Sequence, residues 1–214
     1  MAEKTYHHGD LKNALIQAGV EILAKEGLAG LSLRKAARQA GVSHAAPYAH
    51  FADKQALIAA ISTEGHTKIN RKIKQVMKKY PDDLLKQLVE VAWAYVRFGL
   101  DEPAHYKITF SGAVEKERDY PALVEMTEKN FALVRQLVKS CQAAGILNPG
   151  EPDLVVIGVW GLVHGFVSLL QEGQVSHAVS DHYSTREMLL FTLNQISRVK
   201  IEIEEENTKG KKQK

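Results

Sequence analysis

The sequence has a single cysteine, Cys141, among 214 residues. One cysteine excludes an internal disulfide and is typical of proteins from a reducing compartment. Because Cys141 lies in an apolar helical stretch, we expect a buried structural thiol. The N-terminus lacks the basic and then apolar pattern of a signal peptide, and we expect no apolar run to reach the length of a membrane span. These absences predict a protein that stays in the cytoplasm.

Sustained alternation of apolar and polar residues is also absent, so the sequence predicts no β-sheet. No serine lies in a Gly-x-Ser-x-Gly elbow, and no glycine-rich loop follows a strand. His7 and His8 are adjacent and cannot face one ion on a regular helix, and His44 and His50 have no cysteine or carboxylate at ligand spacing. We therefore expect an all-α protein with no metal site, no cofactor and no catalytic centre.

Charge is distributed unevenly along the chain. Residues 1–79 hold 13 Lys and Arg against 6 Asp and Glu, a net charge of +7, while residues 80–214 hold 15 against 19, a net charge of −4. A concentrated positive surface releases counterions from DNA, and an acidic remainder disfavours binding in the wrong orientation. Charge alone is equally consistent with a chance imbalance, so it needs a motif beside it.

Residues 32–54 carry two short helix patterns separated by a turn. Ser32 is in an N-cap position, and an apolar face of helical spacing follows it. Gly41 lies where a helix must end in a left-handed conformation, and Ser43 is a second N-cap candidate. Pro47 removes one backbone hydrogen bond, so the second helix should be short. The pattern predicts a DNA-binding helix-turn-helix, with a surface helical hairpin as the alternative.

Small residues at the start of the second helix would let its backbone lie close to DNA. We expect His44, Ala45 and Ala46 to face base edges, with Arg34 reaching a guanine from the preceding helix. The side chains expected to hold phosphates are Ser32, Ser43, Tyr48, His50 and Lys54. An N-terminal arm at residues 4–9 could reach a groove, although an untethered terminus is the commoner outcome.

The motif reads AGVS at residues 40–43 and YAHFADK at residues 48–54. This pattern resembles the DNA-binding motif of TetR/AcrR-type transcriptional regulators. YHHGDL at residues 6–11 and WGLVHG at residues 160–165 are similar to a branch of that family whose effector domain is named for a Trp-His-Gly signature. The resemblance implies a homodimer formed through the last two helices and an effector cavity within the C-terminal part.

The rest of the chain is predicted to be helical. A first helix should begin at a cap on Asp10 and end at Gly27, and a long basic helix should run from Asp53 to Met77. Ser184 starts a capping box for the last helix. Later helices are expected near residues 82–100, 103–113, 121–144, 152–172 and 184–203. We expect about nine helices in all.

The predicted organisation is a three-helix DNA-binding head followed by a helical body. The helix-turn-helix domain covers residues 1–54, and the ligand-binding and dimerisation domain covers residues 55–203. Within that second domain, residues 55–79 form the connector helix. A charged tail at residues 204–214 completes the chain.

The segment from residue 154 to residue 170 is apolar nearly all round and contains Gly158, Gly161 and Gly165. Interior glycines each cost about 1 kcal/mol relative to alanine, which suggests close approach of another helix. The pattern predicts a two-fold four-helix dimer interface or, alternatively, an internal helix pair in a monomer. For the dimer, the expected interface residues are Val159, Leu162, Phe166, Leu189, Thr192 and Ile196.

Aromatic residues at helical spacing could line an effector cavity or could simply form the core. His164 lies on an apolar face, where an imidazole needs a hydrogen-bond partner from a ligand or from a neighbouring carbonyl. The candidate pocket residues are Trp93, Phe98, Tyr106, Phe110, Phe131, Trp160 and His164.

Together, these features predict a transcriptional regulator that binds double-stranded DNA, most simply a ligand-responsive repressor that binds a palindromic operator as a homodimer. Its partners would be DNA, a second copy and an unidentified small-molecule effector, with no membrane. The alternative is a helical small-molecule-binding protein or enzyme with an incidental basic end. An activator of the same fold is equally consistent with the sequence.

Overall fold

The computed structural model describes residues 8–202, with side chains from Leu11 onward. Within that range the chain forms nine α-helices, two 3-10 helices and no strand. The one pairing of extended backbone there is an isolated antiparallel bridge between Leu147 and Ser197. The all-α prediction is confirmed. Most of the expected N-terminal arm, residues 4–7, and the charged tail, residues 204–214, lie outside the described residues.

The two 3-10 helices are Ala46–Ala49 and Glu117–Asp119. Three α-helices have proline at their first position, where a missing N–H costs nothing, and this confirms the predicted starts at residues 103, 121 and 152. The α-helices are α1 (His8–Gly30), α2 (Leu33–Gln39), α3 (Lys54–Lys79), α4 (Leu84–Asp101), α5 (Pro103–Phe110), α6 (Pro121–Ala143), α7 (Pro152–Gln171), α8 (His177–Ser180) and α9 (Thr185–Asn194).

Helix α1 begins before its predicted cap. Its first residue is His8, so Asp10 lies inside the helix and the prediction that Asp10 caps it is wrong. Gly27 has φ 67° and ψ −170°, which interrupts the helix where the glycine stop was predicted. One further helical turn follows as far as Gly30, so the stop is a kink within α1 rather than its end.

Helix α2 has the predicted caps at both ends. The Lys35 backbone N–H donates to the Ser32 hydroxyl oxygen at 3.2 Å. Gly41 follows the helix with φ 70°, a left-handed conformation that only glycine adopts without steric cost. There the Val42 N–H donates to the Ala37 carbonyl at 3.0 Å and closes the helix end. The turn of the motif is therefore confirmed.

The second helix of the motif is shorter than the sequence predicts. Only the 3-10 helix Ala46–Ala49 forms, with Pro47 in its first turn. Its N-cap residue is Ala45, and no side chain caps it, so the prediction that Ser43 is an N-cap is wrong. Instead, the Ala46 N–H donates to the Ser43 backbone carbonyl at 3.1 Å. In an α-helix capped by Ser43, Pro47 would have to donate the first i→i−4 hydrogen bond, to the Ser43 carbonyl, and it has no N–H.

The chain divides into two compact units. Among the described residues, the first holds residues 8–75 and 97–132, and the second holds residues 76–96 and 133–202. These units are defined by packing, whereas the predicted boundary near residue 54 is a functional one that stays a prediction.

The first unit is built on an apolar core beneath the helix-turn-helix. Phe51 is 2% exposed in this core, and Val42 packs against it. Ile108, from α5, belongs to the same core. Helix α5 therefore stabilises the DNA-binding motif directly, although it lies about fifty residues further along the chain. The other buried core residues are Leu15, Ile16, Ile22, Leu31, Leu33, Ala36, Leu57, Ile58 and Ile61.

In the second unit, α7 packs against α9. The predicted capping box begins α9: the Glu187 N–H donates to the Ser184 hydroxyl at 3.2 Å, and the Ser184 N–H donates to the Glu187 carboxylate at 2.7 Å. Cys141 is fully buried, as expected, and burial raises the pKa of its thiol to about 11.

Helix α9 ends at Asn194, so the prediction of a helix as far as residue 203 is wrong. The Asn194 amide donates to the Ile201 carbonyl at 3.1 Å and accepts from the Ile201 N–H at 2.8 Å. Arg198 donates its N–H to the Ile146 carbonyl at 2.8 Å. These contacts fold the last described residues back and satisfy backbone groups that a longer helix would have paired internally.

Helix α7 is long and apolar enough to cross a membrane, judged by length and composition alone. The expectation that no apolar run reaches that length is therefore wrong. The core helices of soluble proteins meet the same criterion, and a single such helix is weak evidence for a membrane protein.

Candidate nucleic-acid interface and effector site

The predicted recognition segment lies at the surface of the first unit. After the turn at Gly41, the side chains of His44 and Ala45 are exposed and that of Ala46 is half-buried. Arg34 is also exposed, on α2. The small side chains of Ala45 and Ala46 leave room for a DNA duplex to approach the backbone. The contact of these residues with base edges stays a prediction.

Three of the five predicted phosphate ligands are exposed. These are Ser32, Ser43 and Tyr48, and the Tyr48 residue is 55% exposed. The Ser32 oxygen accepts from the Lys35 N–H, so its hydroxyl hydrogen can still donate to a phosphate. The Tyr48 phenol can donate in the same way.

The other two predicted phosphate ligands, Lys54 and His50, are held in place by the protein. Lys54 Nζ donates to the Leu28 carbonyl at 2.8 Å, just after the kink in α1. An ammonium has three donors, so Lys54 can bind this carbonyl and a phosphate at the same time. His50 Nε2 is buried and has no hydrogen-bond partner in the described part of the chain. Only Nδ1 of His50 is therefore left for a phosphate.

Helices α3 and α6 share a polar cluster that sequence reasoning missed. Asn70 donates its side-chain N–H to Asn130 Oδ1 at 2.8 Å, and Asn130 donates to the His66 carbonyl at 2.9 Å. His66 Nδ1 lies 3.3 Å from the same Asn130 nitrogen, and the Phe110 ring meets the imidazole edge-on at 5.3 Å. Burial lowers the pKa of His66 to about 4, so its imidazole is neutral at neutral pH. The only sequence signal was a polar pair four residues apart on the apolar edge of α3.

A second network, at the start of α5, was also missed. Lys68 Nζ lies 2.5 Å from Glu102 Oε2, 3.4 Å from Glu64 Oε1 and 3.2 Å from His105 Nδ1. His105 is 2% exposed, and burial is the first cause of its lowered pKa, followed by the positive charge of Lys68. A neutral imidazole can accept the lysine hydrogen bond at Nδ1.

The predicted pocket residues fall into two groups. In the first unit, the Phe98 and Tyr106 rings lie 6.2 Å apart and the Tyr106 and Phe110 rings 5.0 Å apart. Phe98 and Tyr106 are buried, whereas Phe131 is exposed on α6. Phe98 and Tyr106 therefore contribute to the apolar core of this unit.

In the second unit, α4 and α7 share three hydrogen-bonded side chains. Trp160 donates its indole N–H to the Tyr95 hydroxyl at 3.0 Å, and that hydroxyl lies 2.9 Å from His164 Nδ1. Burial lowers the pKa of His164, so the neutral ring accepts from Tyr95. The predicted need of His164 for a partner is met by this phenol.

The remaining pocket candidate, Trp93, is covered by a side chain of the same unit. The guanidinium of Arg186 lies 5.2 Å from the centre of the Trp93 ring, a cation–π contact. The same guanidinium pairs with the Glu90 carboxylate. Arg186 thus ties the start of α9 to α4.

The predicted dimer residues are distributed over two environments. Val159, Phe166 and Leu189 are buried within one chain, so these three side chains are already covered without a partner. Leu162, Thr192 and Ile196 are half-buried.

A different face of α7 is exposed, which excludes a fully internal position for this helix. This α7 stripe carries leucine, isoleucine and glycine, and Leu154 is 72% exposed, Ile157 51% and Leu169 50%. A Cβ added at any of its three glycines would meet nothing within 4 Å. The space beside these glycines is therefore left open by the chain's own helices. The stripe consists of Leu154, Ile157, Gly158, Gly161, Gly165 and Leu169.

Two sequence profiles match the chain. The profile described as "Bacterial regulatory proteins, tetR family" matches residues 15–61, which include the helix-turn-helix. The profile described as "Tetracyclin repressor-like, C-terminal domain" matches residues 88–193. Assignment to the branch with the Trp-His-Gly signature stays a prediction.

Similar proteins agree with the profiles. The chain is 24% identical over 186 residues to the HTH-type transcriptional regulator AcrR of Shigella flexneri. This match covers 80% of the present chain and 82% of AcrR. A Rhodococcus sp. RHA1 protein of unknown function has the same fold, with a TM-score of 0.76 and 28% sequence identity. The superposition covers 92% of the present chain and 100% of the Rhodococcus chain.

The fatty acid degradation regulator FadR of Bacillus halodurans also shares the fold, with a TM-score of 0.70, 15% identity and coverage of 88% and 95% of the two chains. With both profiles matched, one over the DNA-binding motif and one over the C-terminal part, the chain belongs to the TetR family of DNA-binding transcriptional regulators.

Proposed function

We propose that this TetR-family regulator is a ligand-responsive repressor that binds a palindromic operator as a homodimer. The observation that carries the proposal is the left-handed turn at Gly41, which follows capped helix α2 and leads into the exposed segment at residues 44–46. In helix-turn-helix proteins the segment after such a turn enters the major groove. The proposed functional domains are residues 1–54 for DNA and residues 55–203 for effector and dimer.

The DNA contacts are proposed to divide by chemistry. Arg34 can form a bidentate pair with guanine, His44 can reach a base edge with its imidazole, and Ala45 and Ala46 have little side chain to keep the backbone from base edges. The basic N-terminal third supplies the electrostatic attraction that is independent of sequence. Phosphates would be held by Ser32, Ser43, Tyr48, His50 and Lys54.

The homodimer is proposed to form on the α7 stripe. Soluble monomers rarely leave a contiguous apolar face of this kind in water. The open space beside Gly158, Gly161 and Gly165 would let a helix of a second copy approach closely. Phe191 of α9 is 71% exposed and could extend the interface. A two-fold dimer would present two recognition segments, which must lie roughly 34–36 Å apart to reach half-sites one turn apart.

The effector is proposed to bind beside aromatic and histidine side chains of the proposed ligand-binding domain, residues 55–203. Two groups there combine apolar rings with neutral imidazoles, around His66 and around His164, which suits an uncharged, partly aromatic compound. We infer that the protein works by binding rather than catalysis, and that it acts in the cytoplasm, where its DNA would be. Effector binding would alter the separation of the two heads.

The test compares two arginines of α2. Both Arg34 and Arg38 are exposed, but only Arg34 is proposed to reach a base. Using fluorescence anisotropy with an operator selected from random DNA and its single-base variants, Arg34→Ala should relax preference at one position per half-site, at a cost of about 1–3 kcal/mol. Arg38→Ala should keep the parent's preferences. A parent protein with equal affinity for every duplex would overturn the proposed function.

A further inference from the structure

Helix α5 is held against α3 at both ends. At its start, Lys68 Nζ donates to Glu102 Oε2 at 2.5 Å, and Glu102 is the N-cap residue of α5. The same ammonium lies 3.2 Å from Nδ1 of His105, in the first turn of α5. One lysine of α3 thus binds two side chains at the start of α5.

The surroundings make this ammonium difficult to replace. The Lys68 side chain is 26% exposed, and the carboxylates of Glu64 and Glu102 lie 3.4 and 2.5 Å from its nitrogen. Without the ammonium, these two partly buried carboxylates would lose their shared cation, and the buried His105 would lose its donor. Carboxylates and an imidazole that are buried without their partner carry a desolvation cost. A shift of α5 away from α3 would expose them to water and relieve that cost.

The far end of α5 is held by close packing rather than by charge. A Cβ added at Gly65 would lie 1.9 Å from Thr109 Oγ1, so the two helices approach as closely as a glycine allows. Ser62 Oγ donates to the Thr109 carbonyl at 3.4 Å. Between the two ends, Ile108 projects into the core beneath the helix-turn-helix.

We propose that Lys68 is a positioning residue for DNA binding: through Glu102 and His105 it sets the place of α5 on α3, and through Ile108 of α5 it sets the DNA-binding motif. This inference rests on the proposed function, because it concerns the affinity of the effector-free protein for its operator. Lys68 touches no DNA in this account. Its effect passes through the packing of a single short helix.

The experiment measures operator and random-duplex affinities of Lys68→Met by anisotropy, at a temperature where circular dichroism shows full folding. Methionine keeps the apolar stem and removes the ammonium. Operator affinity should fall roughly tenfold, within the 5- to 150-fold range of energetic coupling between sites, while random-duplex affinity and its salt dependence stay unchanged. Lys68→Arg, which restores the cation, should remain within about threefold of the parent.

The matched control is Lys129→Met. Lys129 pairs with Glu125 on α6 at 2.5 Å, and both side chains are more than half exposed, so its loss should leave operator affinity unchanged. Glu102→Gln removes the charge of the lysine's partner and should lower operator affinity in the same direction as Lys68→Met. This second variant keeps the test decisive if Lys68→Met fails to fold.

Several results would overturn the inference. One is that Lys68→Met binds operator as tightly as Lys129→Met. Another is an equal loss for operator and random duplex with a weaker salt dependence, since that would make Lys68 a phosphate ligand. A lower melting temperature with unchanged operator affinity would make its role purely structural. If the parent itself selects no operator, the proposed function fails, and this inference fails with it.

Discussion

Gly65 of α3 and Thr109 of α5 are packed so closely that a Cβ at position 65 would lie 1.9 Å from the threonine hydroxyl oxygen. The Thr109 hydroxyl is fixed in turn, because it donates to the His105 carbonyl at 2.7 Å. Both residues are buried. The two helices meet here through a glycine, so a side chain at position 65 would require a shift of the Thr109 side chain or of one helix.

Gly65→Ala should therefore destabilise the protein. Overpacking of a dense contact costs roughly 1–3 kcal/mol, which exceeds the gain of about 1 kcal/mol that alanine brings to a helix interior. Chemical denaturation followed by circular dichroism measures the change. Adding Thr109→Ala to the same chain should recover part of the loss, because it removes the hydroxyl and methyl groups that clash. If Gly65→Ala unfolds at the same midpoint concentration of denaturant as the parent, the close contact between Gly65 and Thr109 is contradicted.

Tyr48→Phe should weaken DNA binding without regard to sequence. The change removes one proposed hydrogen bond to phosphate, worth about 1 kcal/mol, so operator and random duplex should lose affinity by a similar factor. Tyr183 offers a matched control, since Tyr48 is 55% exposed and Tyr183 is 56% exposed. Tyr183→Phe should bind DNA like the parent. Equal affinities for the two variants would remove Tyr48 from the interface.

Acid should destabilise the fold through His66. Its pKa falls from 6.5 to about 4 in the folded protein because of burial. Between these values the unfolded chain binds a proton and the folded chain does not, so stability is full above pH 6.5 and falls as the pH drops toward 4. The loss from this group is at most about 1.4 kcal/mol per pH unit.

The measurement is the free energy of unfolding as a function of pH, compared with His66→Gln. That variant should show a shallower decline below pH 6.5, because its side chain takes up no proton. His182→Gln is the control, since His182 is exposed and should leave the parent's acid dependence in place. A decline of equal steepness in all three proteins would exclude His66 as its source.

Ile157→Asp should convert the proposed dimer to monomers. Ile157 lies in the middle of the exposed α7 stripe, and a carboxylate there would have to be buried against a second copy without a partner. Analytical ultracentrifugation gives the mass directly. Val179→Asp introduces the same charge at an exposed apolar residue of α8 and should leave the dimer intact. A dimer of unchanged affinity in Ile157→Asp would move the interface elsewhere.

The locally encoded parts of the fold were predictable from the sequence. Ser32 and Ser184 cap helices through their own hydroxyls, and Gly41 turns the chain because its φ is positive. Such signals depend on residues within one turn, so no knowledge of tertiary contacts is needed. The resemblance of the motif around Gly41 to TetR-type regulators then gave the family.

Features set by distant residues were not predictable. Helix α9 stops at Asn194 because that side chain pairs with the Ile201 backbone, and nothing local marks this end. The exposed face of α7 was not predictable for a related reason. The helix is apolar nearly all round, so its sequence pattern does not show which side faces water. Val159 and Phe166, which the sequence predicts at the dimer interface, are buried within one chain, and their contact with a second copy stays a prediction.

Contacts between residues distant in sequence also determine the candidate sites, which for that reason were not predictable. Lys68 and His105 are far apart in sequence and meet only because α5 lies on α3. In the sequence, Lys68 was one of several lysines on a basic helix. Its partners became evident only with the packing of α5.

Selection of bound duplexes from a random DNA pool tests whether the protein recognises a palindromic operator through its helix-turn-helix. We expect an enriched palindrome with two half-sites about one helical turn apart, and its binding should persist at physiological salt. Arg34→Ala should enrich the same palindrome with one position relaxed in each half-site. A pool that remains random after repeated selection at low ionic strength would contradict the assignment of residues 32–54 to operator recognition.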